Sequence, residues 1–289
     1  MIDKLKALKQ LKKMNIHKPT CTLIRSKAGI LLYRVLTGGK YFVLKIFSND
    51  VDTREISNYL LLQNLGVRTL PLIAHTDNAI LLPDIEASNE YRLGVESDLE
   101  NPKAAKAIAK WYKELHSKGA EYIAELSTDM YSETDLLTKE NLSFIAEKTD
   151  TVDNALWKAV EANFDEIHNR INALPKTLTY NDFYYDNLIV SKDETIAFMF
   201  DYNLLGKGYA YGDIRNVVSS LSPNAAKAFC EEYAMLDMEE QIKADAFISP
   251  LVTLYFACKK KNFPSYAEEY LEKLKNGELL KSLKDWIEI

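Results

Sequence analysis

The chain has 289 residues, 47% hydrophobic and 27% charged, enough apolar material for a packed core in one large domain or two lobes. A formal net charge of -6 argues against a nucleic-acid binder, which needs an excess of Lys and Arg to neutralise phosphates, and leaves a cationic or neutral ligand easier to accommodate. Cys21, Cys230 and Cys258 are widely spaced and form neither a disulfide framework nor a paired metal motif, which fits a reducing cytoplasm.

The first stretch, MIDKLKALKQLKK, alternates charge with apolar residues and lacks the continuous apolar core of a secretory leader, so it reads as an amphipathic helix. Gly29 to Leu36 and Tyr41 to Phe47 are rich in β-branched, aromatic and aliphatic residues. With Thr37-Gly38-Gly39-Lys40 between them they predict a hairpin. A helix follows, opened by Thr53 as N-cap, striped by Ile56, Tyr59, Leu60 and Leu62, and stopped by Gly66. Leu70 to Ala74 and Ala79 to Ile85 read as two further strands around the turn His75 to Asn78.

Beyond Ala87 the pattern turns helical. Ala104, Ile108, Trp111, Tyr112 and Leu115 make one stripe, with His116 placed at its C-terminal end; Leu156, Val160, Phe164, Ile167 and Ile171 make a second. The segment 177–201 is the exception, with strands over Leu178 to Tyr180, Leu188 to Val190 and Thr195 to Phe200. Helices then run onward, and the apolar stretch from Ala246 to Cys258 falls short of the ~20 residues that span a bilayer, so no membrane segment is expected. The plan is α+β: a β-rich front over 1–86 with one main helix, and a mostly helical rear over 87–289 carrying an embedded hairpin.

The chemistry concentrates in Asp182, four intervening residues, Asn187, a short hairpin, and Asp201 at the end of an apolar strand. That spacing matches a kinase catalytic loop and its metal-binding aspartate. Asp182 would take or orient the proton of an acceptor hydroxyl. Asn187 and Asp201 would hold magnesium through an amide and a carboxylate oxygen. Two residues of the front half agree with this. Lys45 is an ammonium inside the apolar run Phe42 to Ile46, and Glu55, in the first turn of the following helix, is placed to pair with it.

These motifs resemble the aminoglycoside phosphotransferase and choline kinase family, small-molecule kinases of protein-kinase-like fold. The family's loop usually reads His-Gly-Asp where this chain has Tyr180-Asn181-Asp182. The resemblance implies a bilobal fold, ATP or GTP as donor with Mg2+, and Lys45 and Glu55 at the phosphates. Ser26 would lie in a sparse phosphate loop, and the Pro83 carbonyl and Ile85 amide against the base. Asp213, after Gly212, would brace the loop as Tyr180 does. No long activation loop or Ala-Pro-Glu element follows Asp201, which points to a small hydroxyl acceptor rather than a protein. Tyr184, Tyr185, Tyr209, Tyr211 and Tyr233, with Asp186, Glu231 and Glu232 nearby, suit either an aminoglycoside-like polyamine or a choline- or ethanolamine-like cation. A nucleotide-binding pseudokinase is the reading of another class, Tyr180 being its main support.

Overall fold

The computed structural model describes residues 2–125 and 130–288. It divides into two compact units, one of residues 1–118, 180–205 and 216–234, the other of residues 119–179, 206–215 and 235–289.

The first unit begins with helix α1 (Ile2–Lys13) and a five-stranded antiparallel sheet: β1 (Thr20–Lys27), β2 (Ile30–Thr37), β3 (Lys40–Phe47), β4 (Ala74–Thr76) and β5 (Ala79–Pro83), ordered β1-β2-β3-β5-β4. Alternation decides its two faces. Leu31, Tyr33 and Val35 of β2, Leu44 and Ile46 of β3 and Ala79 and Leu81 of β5 join Ala7 and Leu11 of α1, and Met14 just after it, in one buried cluster. The α1 residues recur at helical spacing, so one stripe covers one face of the sheet. Gln10 fixes the helix lengthwise, donating to Asn78 Oδ1 at 2.8 Å and accepting from Thr76 Oγ1 at 2.9 Å. The opposite face carries Leu32, Lys45 and Ile80 in register across three strands.

Helix α2 (Arg54–Asn64) follows β3, with Glu55, Ile56, Asn58, Tyr59 and Leu62 buried. Thr53 does not cap it. Its backbone is already helical and its hydroxyl donates to Asp50 O at 2.6 Å. The expected strand from Leu70 to Ala74 also shifts: Pro71 has no N–H for a ladder, and pairing with β5 begins only at Ala74. A small second sheet, unforeseen in its first strand, orders β6 (Tyr91–Leu93), β8 (Leu188–Ser191) and β9 (Ala197–Met199). Helix α3 (Pro102–Glu125) runs past His116 instead of ending there. His116 is buried mid-helix, its Nδ1 2.8 Å from the Tyr233 hydroxyl of α8 (Pro223–Tyr233).

In the second unit, β7 (Thr177–Thr179) pairs with β10 (Gly206–Gly208), and helices α4 (Lys139–Lys148), α5 (Ala155–Ala162), α6 (Phe164–Ala173), α9 (Glu239–Cys258), α10 (Glu268–Lys275) and α11 (Glu278–Ile287) share a core that includes Leu156, Ile167, Phe247 and Trp286. The single stripe expected from Leu156 to Ile171 is two helices, because Asn163 leaves helical geometry and its amide donates to Ala159 O at 2.8 Å. Helix α7 (Ala210–Ser220) has Asp213 buried in its first turn. Tyr209 and Arg215 both bond the buried Asp245 carboxylate, at 3.0 and 2.7 Å. Burial pushes the nearby Glu133 carboxyl up to about 7, against the pull of Arg215. Among the described residues no helix is long and apolar enough to cross a membrane.

Leu11→Ala should cost about 3 kcal/mol in urea unfolding, because Leu11 is fully buried between α1 and the sheet.

Candidate active site

Lys45 lies in the middle of β3, hydrogen-bonded between β2 and β5, with only 7% of its surface exposed. An ammonium so placed must be paired. Its Nζ donates to Glu55 Oε2 at 2.6 Å and to Asp201 Oδ1 at 2.9 Å, joining residues 156 positions apart. Burial disfavours the charged lysine, but the two carboxylates outweigh it and hold its pKa above the ordinary value. Burial in turn raises the Glu55 carboxyl.

Asp182 and Asn187 stand at the two ends of one loop. The Asn187 amide nitrogen donates to Asp182 Oδ2 at 3.0 Å and to Asp182 O at 3.1 Å, so its amide oxygen is left to accept elsewhere. Asn187 O accepts from Phe200 N at 3.0 Å, which ties the loop to the strand end carrying Asp201. Burial, then the charge of Asp201, pushes the Asp182 carboxyl up to about 6, while the Asn187 hydrogen bond and Lys45 pull it down.

Two residues here have left-handed backbones, Asn181 at φ 64 and Asp201 at φ 62. Such angles are rare outside glycine and cluster at functional sites. Asn tolerates them best, and the Asn181 side chain also donates to Leu204 O at 3.0 Å. Tyr180 is fully buried, and its hydroxyl donates to Phe200 O at 2.5 Å, a second tie between loop and strand. Its ring meets Trp111, Tyr112 and Tyr202 edge-on at centroid distances of 5.8, 6.4 and 6.1 Å. Tyr202 packs on Tyr59 of α2 at 4.6 Å, and Asn58 donates to Tyr202 O at 2.7 Å.

The structure thus brings Lys45, Glu55, Asp182, Asn187 and Asp201 together, with Tyr180 beneath the loop. It does not bring Ser26 to them. Ser26 is in register with Leu31, on the α1 face of the sheet, because a bulge between Leu23 and Arg25 reverses the alternation of β1. Pro83 ends β5 opposite Phe42, and Ile85 opens a single 3-10 turn whose cap, Asp84, accepts from Glu86 N at 3.1 Å and from Arg34 Nε at 2.5 Å. Asp213 lies in the second unit. Of the aromatic residues singled out from sequence, Tyr209 and Tyr233 are buried in polar pairings, whereas Tyr184 and Tyr185 stack at 4.6 Å inside the loop with Tyr184 exposed. Asn58, Tyr59 and Tyr202 are the positioning residues that the motifs did not flag. Their only sequence signal is adjacency to Glu55 and Asp201.

A divalent cation fits the oxygen donors. Asp201 offers a carboxylate and Asn187 an amide oxygen turned from Asp182, and the Asn203 Oδ1 two residues on is buried without a hydrogen-bond partner. One or two such ligands, completed by phosphate and water, are what magnesium usually takes from protein.

No protein-family model and no curated protein sequence matches the chain. Solved structures do. Macrolide 2'-phosphotransferase MphH from Brachybacterium faecium superposes with TM-score 0.60 and 16% identity over 94% of this chain and 97% of that one. Choline kinase LicA from Streptococcus pneumoniae gives 0.60 and 13% over 97% and 99%. The GDP complex of aminoglycoside 2'-phosphotransferase-IIIa gives 0.62 and 12% over 95% and 99%. The chain therefore has the α+β, protein-kinase-like fold of small-molecule phosphotransferases and choline kinases.

In the metal-free protein, carboxyl NMR should find Asp182 titrating at about 6. Asp201→Asn should lower that midpoint, since it removes the neighbouring like charge. A midpoint that does not move would contradict the proximity of the two carboxylates.

Proposed function

We propose that this protein transfers the γ-phosphoryl group of ATP or GTP to a hydroxyl of a small molecule, with segment 1–86 on the donor side and 87–289 carrying the catalytic loop and acceptor site. One observation carries the reading: a buried lysine shared by two carboxylates from distant segments, beside an Asp–Asn pair locked by a hydrogen bond. A structural salt bridge needs neither the second carboxylate nor the left-handed Asp201.

Asp182 accepts the proton of the acceptor hydroxyl, or orients it, and Asn187 holds its carboxylate in place. At physiological pH a carboxyl titrating at about 6 is mostly ionised yet basic enough to assist proton removal. Lys45 steadies the donor phosphates, and Glu55 keeps that lysine in position. Asp201 and Asn187 would hold Mg2+, which would neutralise phosphate charge. The Pro83 carbonyl and Ile85 amide face the base, and Tyr180 supports the loop from outside the reacting atoms.

The stacked Tyr184 and Tyr185, with Asp186 after them, favour an amine-bearing acceptor, since aromatic faces and a carboxylate both attract cations. An aminoglycoside-like substrate is the primary reading and choline or ethanolamine the alternative. The absence of a long activation segment after Asp201 supports a small acceptor. The composition and free cysteines support a cytoplasmic protein.

Asp182→Ala should lower ADP or GDP release at least ~100-fold while nucleotide affinity stays within a few-fold. Asp201→Ala should remove the magnesium-dependent part of nucleotide binding, read by thermal shift. Aminoglycosides, choline, ethanolamine and sugars tested as acceptors decide the substrate class. Magnesium-dependent nucleotide binding with no turnover on any of them would mark a pseudokinase, and no binding at all would defeat the proposal.

A further inference from the structure

A phosphate loop normally wraps the donor with backbone amides, and this chain has no room for one. The β1–β2 connection is two residues, Ala28 at φ 50 and Gly29 at φ 82, both left-handed as in a tight hairpin turn. Its tip is also occupied, because Gly29 O accepts from Ser48 N at 2.9 Å. The only ammonium in the group, Lys45, is already shared by two carboxylates.

The strand entering that turn compensates. Up to Leu23, β1 keeps one alternation: Cys21 opposes Val35 and Leu23 opposes Tyr33, on the face covered by α1. The bulge at Ile24 then shifts the register by one, so that Arg25 opposes Leu32 and Lys27 opposes Ile30. Leu32 opposes Lys45, and Ile30 opposes Phe47. Opposed residues share a face, so Arg25, Leu32 and Lys45 form one row across three strands, with Lys27 one step nearer the turn. Had β1 kept a regular alternation through Ile24, with Ile24 opposite Leu32, both cations would point to the α1 side. Both are exposed, and among the described residues neither side chain has a hydrogen-bond or ion-pair partner.

We propose that Arg25 and Lys27 grip the β- and γ-phosphates of the donor nucleotide, replacing a glycine-rich loop with two side-chain cations re-aimed by the bulge. The inference rests on the donor-nucleotide reading above. Two strand spacings separate Arg25 from Lys45, ~10 Å between backbones, a gap that a triphosphate bridges when the side chains reach in from both sides. Exposed cations and a bulge also guard the edge strand β1 against aggregation, but that role does not depend on the cations sharing a face with Lys45.

The test is calorimetry with magnesium and ATP, ADP or adenosine, or the guanine series if GTP is the donor. Each single alanine variant should weaken the triphosphate about tenfold, the double variant more, the diphosphate less, and the nucleoside not at all. Wild-type binding with an unchanged double variant would overturn the clamp and leave the kinase reading standing. An equal loss for the nucleoside would place the effect in the sheet and also overturn it. Failure of the wild type to bind any nucleotide would defeat the parent reading, and the clamp with it.

Discussion

The structure of the first unit turns on one buried cation. Lys45 is nearly out of water, and an ammonium there is tolerated only with compensating charge at hydrogen-bond distance. Glu55 arrives from α2 and Asp201 from a strand end far along the chain, so the sheet, the helix and the segment after β9 must meet at a single point. Removing Lys45 would leave two neighbouring carboxylates without their counter-charge, a far larger penalty than losing an exposed ion pair. Asn58 and Tyr59 reinforce the junction by holding Tyr202, the residue after Asp201. The position of α2 is therefore coupled to the backbone that aims Asp201.

That backbone is strained, and the strain is held by identifiable bonds. A left-handed non-glycine residue costs on the order of 1 kcal/mol or more, and two occur within the site. Phe200 stands between the ties: its N–H reaches Asn187 O and its carbonyl accepts from Tyr180. The loop bearing Asp182 and the turn bearing Asp201 are thus cross-linked on both sides of one residue. Neither carboxylate can drift without breaking hydrogen bonds within a buried aromatic cluster.

Much of this was legible because the chemistry is local in sequence. The spacing of Asp182, Asn187 and Asp201, and a lysine inside an apolar strand followed by a helix opening on glutamate, are patterns within short windows. What escaped was set by distant partners. Strands β6 and β10 have three residues each, too few for alternation to register, and exist because β8 and β7 offer edges. His116 looks like a helix end until Tyr233, 117 positions away, is seen to satisfy it. Thr53 as an N-cap and the unbroken stripe across Asn163 fail for a related reason: a hydroxyl or amide can bond several nearby backbone groups, and only the three-dimensional arrangement selects one. The bulge at Ile24 is the sharpest case, since one extra residue reverses which of Arg25, Ser26 and Lys27 share a face with Lys45.

The doublet Tyr180-Asn181 stands where the resembled family has His-Gly. Glycine suits a left-handed position because it lacks a Cβ, and Asn is the side chain that best tolerates the same angle, here with a hydrogen bond of its own to Leu204 O. Tyr180 keeps a donor in the buried layer and delivers it to the carbonyl just before Asp201. In this chain the two residues give the loop a left-handed bend before Asp182 and a tie to the neighbouring strand end. The unusual residues at this point are therefore no ground for reading the loop as inactive. They move attention to the β1 hairpin, whose two-residue turn at Ala28 and Gly29 leaves the proposed phosphate grip to side chains rather than to the backbone.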